Sequence, residues 1–313
     1  MTELSHTDTK NKHIVVVGSA NLDFVVSVEN LPTIGETVLG KNFEKVPGGK
    51  GLNQATAASQ LGGKVSFIGC IGSDPEGEIL SSTLKSSGVN CDFLSLSSSS
   101  STGIAMIGVD SDADNSIIVY PGANNELTPK KIVDAKSVLA SSKVTLLQLE
   151  VPLKSIKSAI ELSGGIIILN PAPAGDIPNE VLEKVDVLVP NRIELARLTK
   201  TTPSNSLDDI EAAARTLPAR NVVVTLGSEG AFLLSKEKTT KIPSPKVDTI
   251  DTTGAGDAFC GSLAEGLSKG LTLLDATEVA VVAGALATTK NGAQPSMPNI
   301  EEVNLLLEVV KNS

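Results

Sequence analysis

The sequence predicts an α/β protein: a mostly parallel sheet with helices on both faces, accompanied by a smaller sheet. Three observations carry this. Continuous apolar runs such as His13 to Gly18 (HIVVVG) end in glycine, the mark of strands buried on both faces. From Pro129 onward, strand-length apolar runs alternate with segments of helical period, as in a parallel sheet with crossover helices. Before any crossover helix, Phe24 to Val28 and Thr37 to Phe43 read as strands around the turn Leu31-Pro32-Thr33-Ile34-Gly35, which sets them in a sheet standing off the main one.

The chain has 313 residues, enough for one large domain or one domain plus a small extra piece. It is 41% apolar and 20% charged, with net charge −10 and a sequence pI of 4.8. Such acidity argues against a nucleic-acid partner and favours solubility. Cys70, Cys91 and Cys260 are scattered and in no metal spacing, which fits a reducing cytosol and a cytoplasmic protein. Residues 1–12 form a polar N-terminal arm without a signal core. The longest apolar runs, Gly165 to Leu169 and Val279 to Ala287, fall short of a membrane span, so no membrane partner is expected. Both histidines, His6 and His13, lie in or beside the arm, which disfavours a histidine triad or a His-ligated zinc.

Taken in order, Ser19-Ala20-Asn21-Leu22-Asp23 follows the first strand at its C-terminal end, the edge where open α/β sheets bind ligands. Asn21, which donates and accepts, and Asp23, which accepts strongly, suit a polyol; an Asx turn needs only one of them. Pro47 to Ala55 sets glycines, Lys50 and Asn53 before a helix of small residues, Ala55 to Leu61, without the G-x-x-x-x-G-K-[ST] spacing of a P-loop. Val65 to Ile71 reads as a strand and Gly77 to Ser87 as a helix. Ser95 to Ser101 (SLSSSSS) reads as an exposed edge or loop without chemistry. Thr102 to Val109 and Ser116 to Tyr120 form a hairpin around Asp110 to Asn115 that joins the accessory sheet, of about four or five strands.

The alternating part comprises a helix to Ser141, strand Val144 to Leu149, helix Leu153 to Ser163, strand Ile166 to Asn170, a short helix near Asn179 to Lys184 and strand Val185 to Val189. Helices from Ile193 and over Leu207 to Leu217, strand Asn221 to Leu226 and a hairpin within Ala231 to Ile242 follow. Helices Leu273 to Thr289 and Ile300 to Val310 close the chain. Glu150, Asn191 with Glu194, and Thr225 with Gly227, Ser228 and Gly230 all fall at C-terminal strand ends. Each alone reads as a cap or turn; together they mark a ligand edge.

Asp251-Thr252-Thr253-Gly254-Ala255-Gly256-Asp257-Ala258-Phe259 is the densest stretch. Ala255, Ala258, Phe259, Ser262, Leu263 and Gly266 recur at helical spacing, so the glycines sit at a helix start whose free N–H groups and dipole make an anion site. Asp257 in that first turn either compensates the dipole or takes a proton from an attacking hydroxyl.

These residues carry a resemblance. Gly48 to Gly72 (GGKGLNQATAASQLGGKVSFIGCIG) and Asp251 to Ala264 (DTTGAGDAFCGSLA) resemble the paired motifs of the ribokinase-like, PfkB-type carbohydrate kinases. GSANLD, QLE, NPAPA (Asn170 to Ala174), PNxxE and GAQPS are similar too, over about residues 13 to 310. The resemblance implies a Rossmann-like α/β domain over 13–313 with a small β-sheet lid, its strands within about 23–45 and 92–121. It also implies a homodimer through the lids and ATP-dependent phosphorylation of D-ribose at O5. By position, Asn21, Asp23, Gly49, Lys50, Asn53 and Glu150 match sugar-binding positions. Asp257 matches the catalytic base, and Gly254, Ala255 and Gly256 match the anion hole. Asn191, Glu194, Thr225, Gly227, Ser228, Gly230, Gly256 and Val281 match nucleotide positions, Glu194 being linked to Mg2+. Asp251, Thr253, Ala287, Lys290, Gly292 and Ser296 match loops that hold an activating K+. Leu52, where alanine is common, and Val281, where a polar residue is common, depart from the pattern.

Related kinases of deoxyribose, another sugar or a nucleoside are the alternatives, with a non-catalytic sugar-binding regulator more remote. One Tyr, six Phe and no Trp leave little to cover a nucleobase, and an intact Asp257 with its GAG turn argues against a silent protein.

Overall fold

The apolar runs form a nine-stranded sheet. The computed structural model describes residues 12–112, 114–236 and 238–311, so the N-terminal arm before Lys12, with His6, lies outside the described residues. Across the sheet the order is β13 (Thr239–Ile242), β12 (Ala231–Leu234), β11 (Asn221–Thr225), β10 (Val187–Leu188), β9 (Ile166–Leu169), β8 (Val144–Leu147), β1 (His13–Val17), β4 (Lys64–Gly72) and β5 (Asn90–Ser97). From β5 to β11 all neighbours are parallel; β12 and β13 add an antiparallel hairpin at the edge.

Alternate side chains of β1 feed two cores, as strand geometry requires. Ile14 and Val16 join Phe67, Phe259, Leu263 and Ala280 on one face, beneath α1 (Lys50–Gln60), α9 (Ala255–Lys269) and α10 (Leu273–Ala287). Val15 and Val17 join Ile132, Leu139 and Ile156 on the other, beneath α3 (Pro129–Asp134), α4 (Lys136–Ala140) and α5 (Leu153–Leu162). Each fully buried Leu, Ile or Phe contributes about 1.5–3 kcal/mol. Both faces of β1 being apolar is what makes its sequence read as one continuous run.

Small residues set how closely α1 and α9 meet. A Cβ on Gly261 would lie 2.6 Å from Ala57 Cβ and 2.6 Å from the Gln54 carbonyl, so the two backbones are nearly in contact. This approach brings both helix starts to the same edge of the sheet.

The second sheet has four strands in the order β3 (Asn42–Gly48), β2 (Asn21–Ser27), β6 (Gly103–Val109) and β7 (Asn115–Tyr120). Asn21 pairs with both Gly48 and Gly103, so the sheet springs from the C-terminal edge of β1.

Four expectations need correction. Residues 37–41 form no strand; β3 begins at Asn42 and runs through Pro47. Pro47 is tolerated within β3 because β3 is an edge strand, where a missing N–H costs little. Ser95 to Ser97 belongs to β5, which pairs with β4 in the large sheet rather than with the lid, so the second lid segment starts at Gly103. The small-residue helix begins at Lys50 rather than Ala55. The helix expected through Ser141 also breaks at Ala135, whose N–H bonds Ile132 in a tighter turn.

Candidate active site

The C-terminal edge of the large sheet gathers the polar residues. A cleft of about 150 Å³ is lined there by Lys50, Asn170, Asn191, Glu194, Thr225, Gly254, Gly256, Asp257 and Cys260, among others. A wider hollow of about 320 Å³ lies at the opposite edge, against His13, Lys64, Asn90, Phe93 and Ser137, and brings no carboxylate with it.

Asp257 sits in the first turn of α9, 8% exposed. Its Oδ2 accepts from Asn53 Nδ2 at 3.0 Å and its Oδ1 from Gln54 Nε2 at 2.9 Å. Burial pushes its carboxyl above the usual range, against Lys50, Asn53 and Gln54, which hold it down. The helix starts at Gly254, in the left-handed region at φ 80°, where no side chain caps it. A Cβ there would lie 2.9 Å from Ala293 Cα, so only glycine fits the turn. A Cβ on Gly256 would meet nothing within 4 Å, so the helix start borders open space there, while the Ala255 N–H donates to the Thr252 carbonyl at 3.3 Å. First-turn amides have no intrahelical partner and suit a phosphoryl group.

At the lid side, Gly49 precedes α1 at φ 87°, and a Cβ there would press on the backbone of Ala20 and Asn21. Gly49 cannot cap the helix, and Glu150 does so instead: its Oε2 accepts from Lys50 N at 3.0 Å and from Ser19 Oγ at 2.5 Å. Asp23, on β2, faces the same space. Its carboxyl is pushed up to about 7 by burial, then by Glu150 and Asp257, with Lys50 pulling it down. Burial works against the Lys50 charge, but Asp257, Glu150 and Glu194 more than offset it and raise its pKa.

The far side is built on α7 (Arg192–Thr199). Asn191 and Glu194 form a reciprocal capping box, Asn191 N to Glu194 Oε2 and Glu194 N to Asn191 Oδ1, both 2.8 Å. Glu194 is 8% exposed and burial raises its pKa. Asn191 also bridges to Thr225, which joins the ends of the two strands. Gly227, Ser228 and Gly230 form the tight turn beyond Thr225. Val281 does not reach the cleft: it packs in the apolar core at 5% exposure, as does Leu52 at 0%.

Behind the anion turn, Asp251 Oδ1 accepts from Thr253 N at 2.9 Å and Oδ2 from Gly292 N at 2.8 Å. These bonds outweigh burial and lower its pKa. Among the described residues, the carbonyls of Thr253, Ala287, Lys290 and Gly292 accept no backbone N–H. Ser296 is fully buried beside them, while the Lys290 ammonium turns away to Glu302 at 2.6 Å.

Of the expected residues, Lys50, Asn191, Glu194, Thr225, Gly254, Gly256 and Asp257 line the cleft, Asn53 reaches it through its bond to Asp257, and Val281 is packed in the core. Sequence reasoning missed Gln54, Gln148, Asn170 and Asn124. Gln148 and Asn170 stand in the QLE and NPAPA strings, and Gln54 follows Asn53; two adjacent amides among small residues were the available signal. Asn124, in the turn Gly122–Glu126, had none.

Known proteins resemble this chain throughout its length. The model of the pfkB family carbohydrate kinases matches residues 11–300. A ribokinase of Haemophilus influenzae is 36% identical over 302 residues, covering 95% of this chain and 99% of the relative. A deoxyribokinase of Salmonella typhi is 36% identical over 303 residues, with 95% and 99% covered. Among solved structures, Arabidopsis thaliana ribokinase complexed with ribose and ATP superimposes with TM-score 0.88 at 34% identity, covering 95% of this chain and 99% of that one.

Proposed function

We propose, for a chain that belongs to the pfkB family of carbohydrate kinases, the ATP-dependent phosphorylation of D-ribose to D-ribose 5-phosphate. The observation that carries the mechanism is Asp257, held by two amides at the uncapped start of α9.

The ribose O5 hydroxyl lies against Asp257, which takes its proton as O5 attacks the γ-phosphoryl of ATP and ADP departs. A carboxylate of raised proton affinity is the stronger acceptor for that transfer, worth about 10²–10⁴-fold. The amides around Gly254, Ala255 and Gly256 stabilise charge on the transferring group, which dominates in a loose transition state. Lys50 adds a cation on the same side. Asn21, Asp23, Asn53 and Glu150 take the sugar hydroxyls, with the Gly49 backbone beneath them. Asn191, Thr225, Gly227, Ser228 and Gly230 border the nucleotide.

Two cations fit the residues present. Glu194 commits one oxygen to Asn191 and leaves the other without a hydrogen bond, which suits Mg2+ with its retained waters. Mg2+ held there would supply positive charge against the phosphates. The free carbonyls of Thr253, Ala287, Lys290 and Gly292, with Asp251 and Ser296, suit K+, which would order the turn behind the anion hole when bound.

The four-stranded sheet acts as the lid and as a homodimer surface. On its edge strand β7, Ile117, Ile118, Val119 and Tyr120 are 53%, 62%, 48% and 49% exposed, an apolar strip suited to a second copy. A cytoplasmic setting fits the free thiols of Cys70, Cys91 and Cys260. Among the described residues no helix is long and apolar enough to cross a membrane.

Deoxyribose is the second reading, favoured by the deoxyribokinase relative at equal identity. ATP consumption with Mg2+ and K+ against ribose, deoxyribose, fructose, adenosine and no sugar separates the two. Turnover strongly favouring ribose is expected; turnover confined to another member overturns the substrate, and none on any sugar overturns the kinase reading.

A further inference from the structure

Gln54 is fully buried on α1, one residue beyond Asn53, and every polar atom of its side chain is engaged. Nε2 donates to Asp257 Oδ1 at 2.9 Å and to Asn170 Oδ1 at 3.1 Å. Oε1 accepts from Gln148 Nε2 at 2.6 Å. Asn170 is itself fixed, because its Nδ2 donates to the Val189 carbonyl at 2.9 Å. Turning the Gln54 amide over would set its oxygen against two acceptors and its NH2 against another NH2, so only one orientation satisfies the network. Gln148, also fully buried, is tightly confined: a Cβ on Gly18 would sit 2.0 Å from its Oε1.

We propose that Gln54, locked by Gln148, is a positioning residue that sets the orientation and charge state of the Asp257 carboxylate. The inference rests on Asp257 being the proton acceptor of the proposed reaction. Both Gln54 N–H donors are committed and its oxygen is taken by Gln148, which separates it from Asn53, whose buried Oδ1, like the Gln148 Oε1, has no partner. The choice of an amide has a physical reason. Lys50 on α1, Glu150 after β8, Asp23 on β2, Glu194 on α7 and Cys260 on α9 already crowd Asp257 with charge or ionisable groups. A second cation would hold the carboxylate too firmly to accept a proton. A neutral donor offsets part of the burial and fixes which lone pairs face the cleft, without changing the net charge there.

The test is the pH dependence of kcat, at saturating ribose and ATP, for Gln54→Met and Gln148→Met. Loss of a hydrogen bond to a charged group makes Asp257 hold its proton more tightly. Gln54→Met is therefore expected to lose about tenfold more turnover at about pH 6 than at about pH 8.5. Gln148→Met leaves Gln54 in place but unlocked and shifts the acid limb the same way by less. A Gln54→Met profile parallel to the wild type, whatever the overall drop, overturns the proposal, since lost packing alone does not move the limb. If Gln54→Met fails to fold, the Gln148→Met profile decides: a shifted acid limb supports the proposal and a parallel one overturns it. Asp257→Asn is measured alongside. Near-normal turnover there removes the base assignment and this inference with it, whereas an inactive Asp257→Asn with a parallel Gln54→Met profile sinks the Gln54 role alone.

Discussion

Asn124 donates from Nδ2 to Asn21 Oδ1 at 2.8 Å, while its own Oδ1 accepts the Ala20 N–H at 3.0 Å. A buried turn thus clamps the chain where it leaves the large sheet for the lid, and it orients the Asn21 amide. With Asn21 Oδ1 taken, its NH2 is what remains for a ligand. Asn124→Leu is expected to raise the KM for sugar by about five- to tenfold, with a smaller effect on kcat. Steady-state kinetics on a variant of unchanged circular dichroism checks this, and an unchanged KM refutes it.

Asp257→Asn keeps the size of the side chain and removes the proton acceptor, although its NH2 must then face the amide donor of Asn53 or of Gln54. Turnover is expected to fall by about a hundredfold or more, while ribose still binds. Single-turnover rates together with calorimetric ribose binding separate the two effects.

Asp23 links pH to both stability and binding. Its carboxyl is pushed up to about 7, burial being the largest cause. Its unfolded value is about 3.9, so the folded state holds the proton more tightly. The resulting stability is full below about pH 4 and is lost as pH rises toward 7. The ligand-free melting temperature is expected to fall between about pH 5 and pH 7.5, and the KM for sugar to fall over the same window as the accepting carboxylate forms. Asp23→Asn flattens both trends; a variant that keeps them both would show that another group is responsible.

Gly254→Ala tests the anion turn. The new Cβ meets Ala293 at a φ of 80°, a strained conformation costing about 1–3 kcal/mol. Lower melting temperature and lower kcat are expected together, measured by calorimetry and ATP consumption.

Potassium is expected to raise turnover over equimolar sodium, and Asp251→Asn to erase the difference. Equal wild-type rates in the two salts would remove the cation from the mechanism.

Much of the fold was legible because it is local. The β1 run predicted a strand buried on both faces, and Ile14 and Val15 do feed opposite cores. The glycines before Asp257 predicted an open helix start, which needs only the backbone's own geometry. Strand membership was less legible where pairing decided it. Ser95 to Ser97 read as an exposed edge or loop; it ends β5, the edge strand of the large sheet, and only the parallel pairing with β4 decided which sheet it joins. The strand read over Thr37 to Phe43 lies instead at Asn42–Gly48, where pairing with β2 decides its bounds.

The sequence by itself determined the class of the sheet, the order of its elements and the presence of a carboxylate beside an anion-binding turn, since periodicity and helix starts are written in neighbouring residues. Tertiary structure alone decided what holds that carboxylate. Gln54 and Asp257 are 203 residues apart, Gln148 and Gln54 94, Asn124 and Asn21 103. A buried amide is satisfied by whichever partner folding delivers, and no local pattern records that choice.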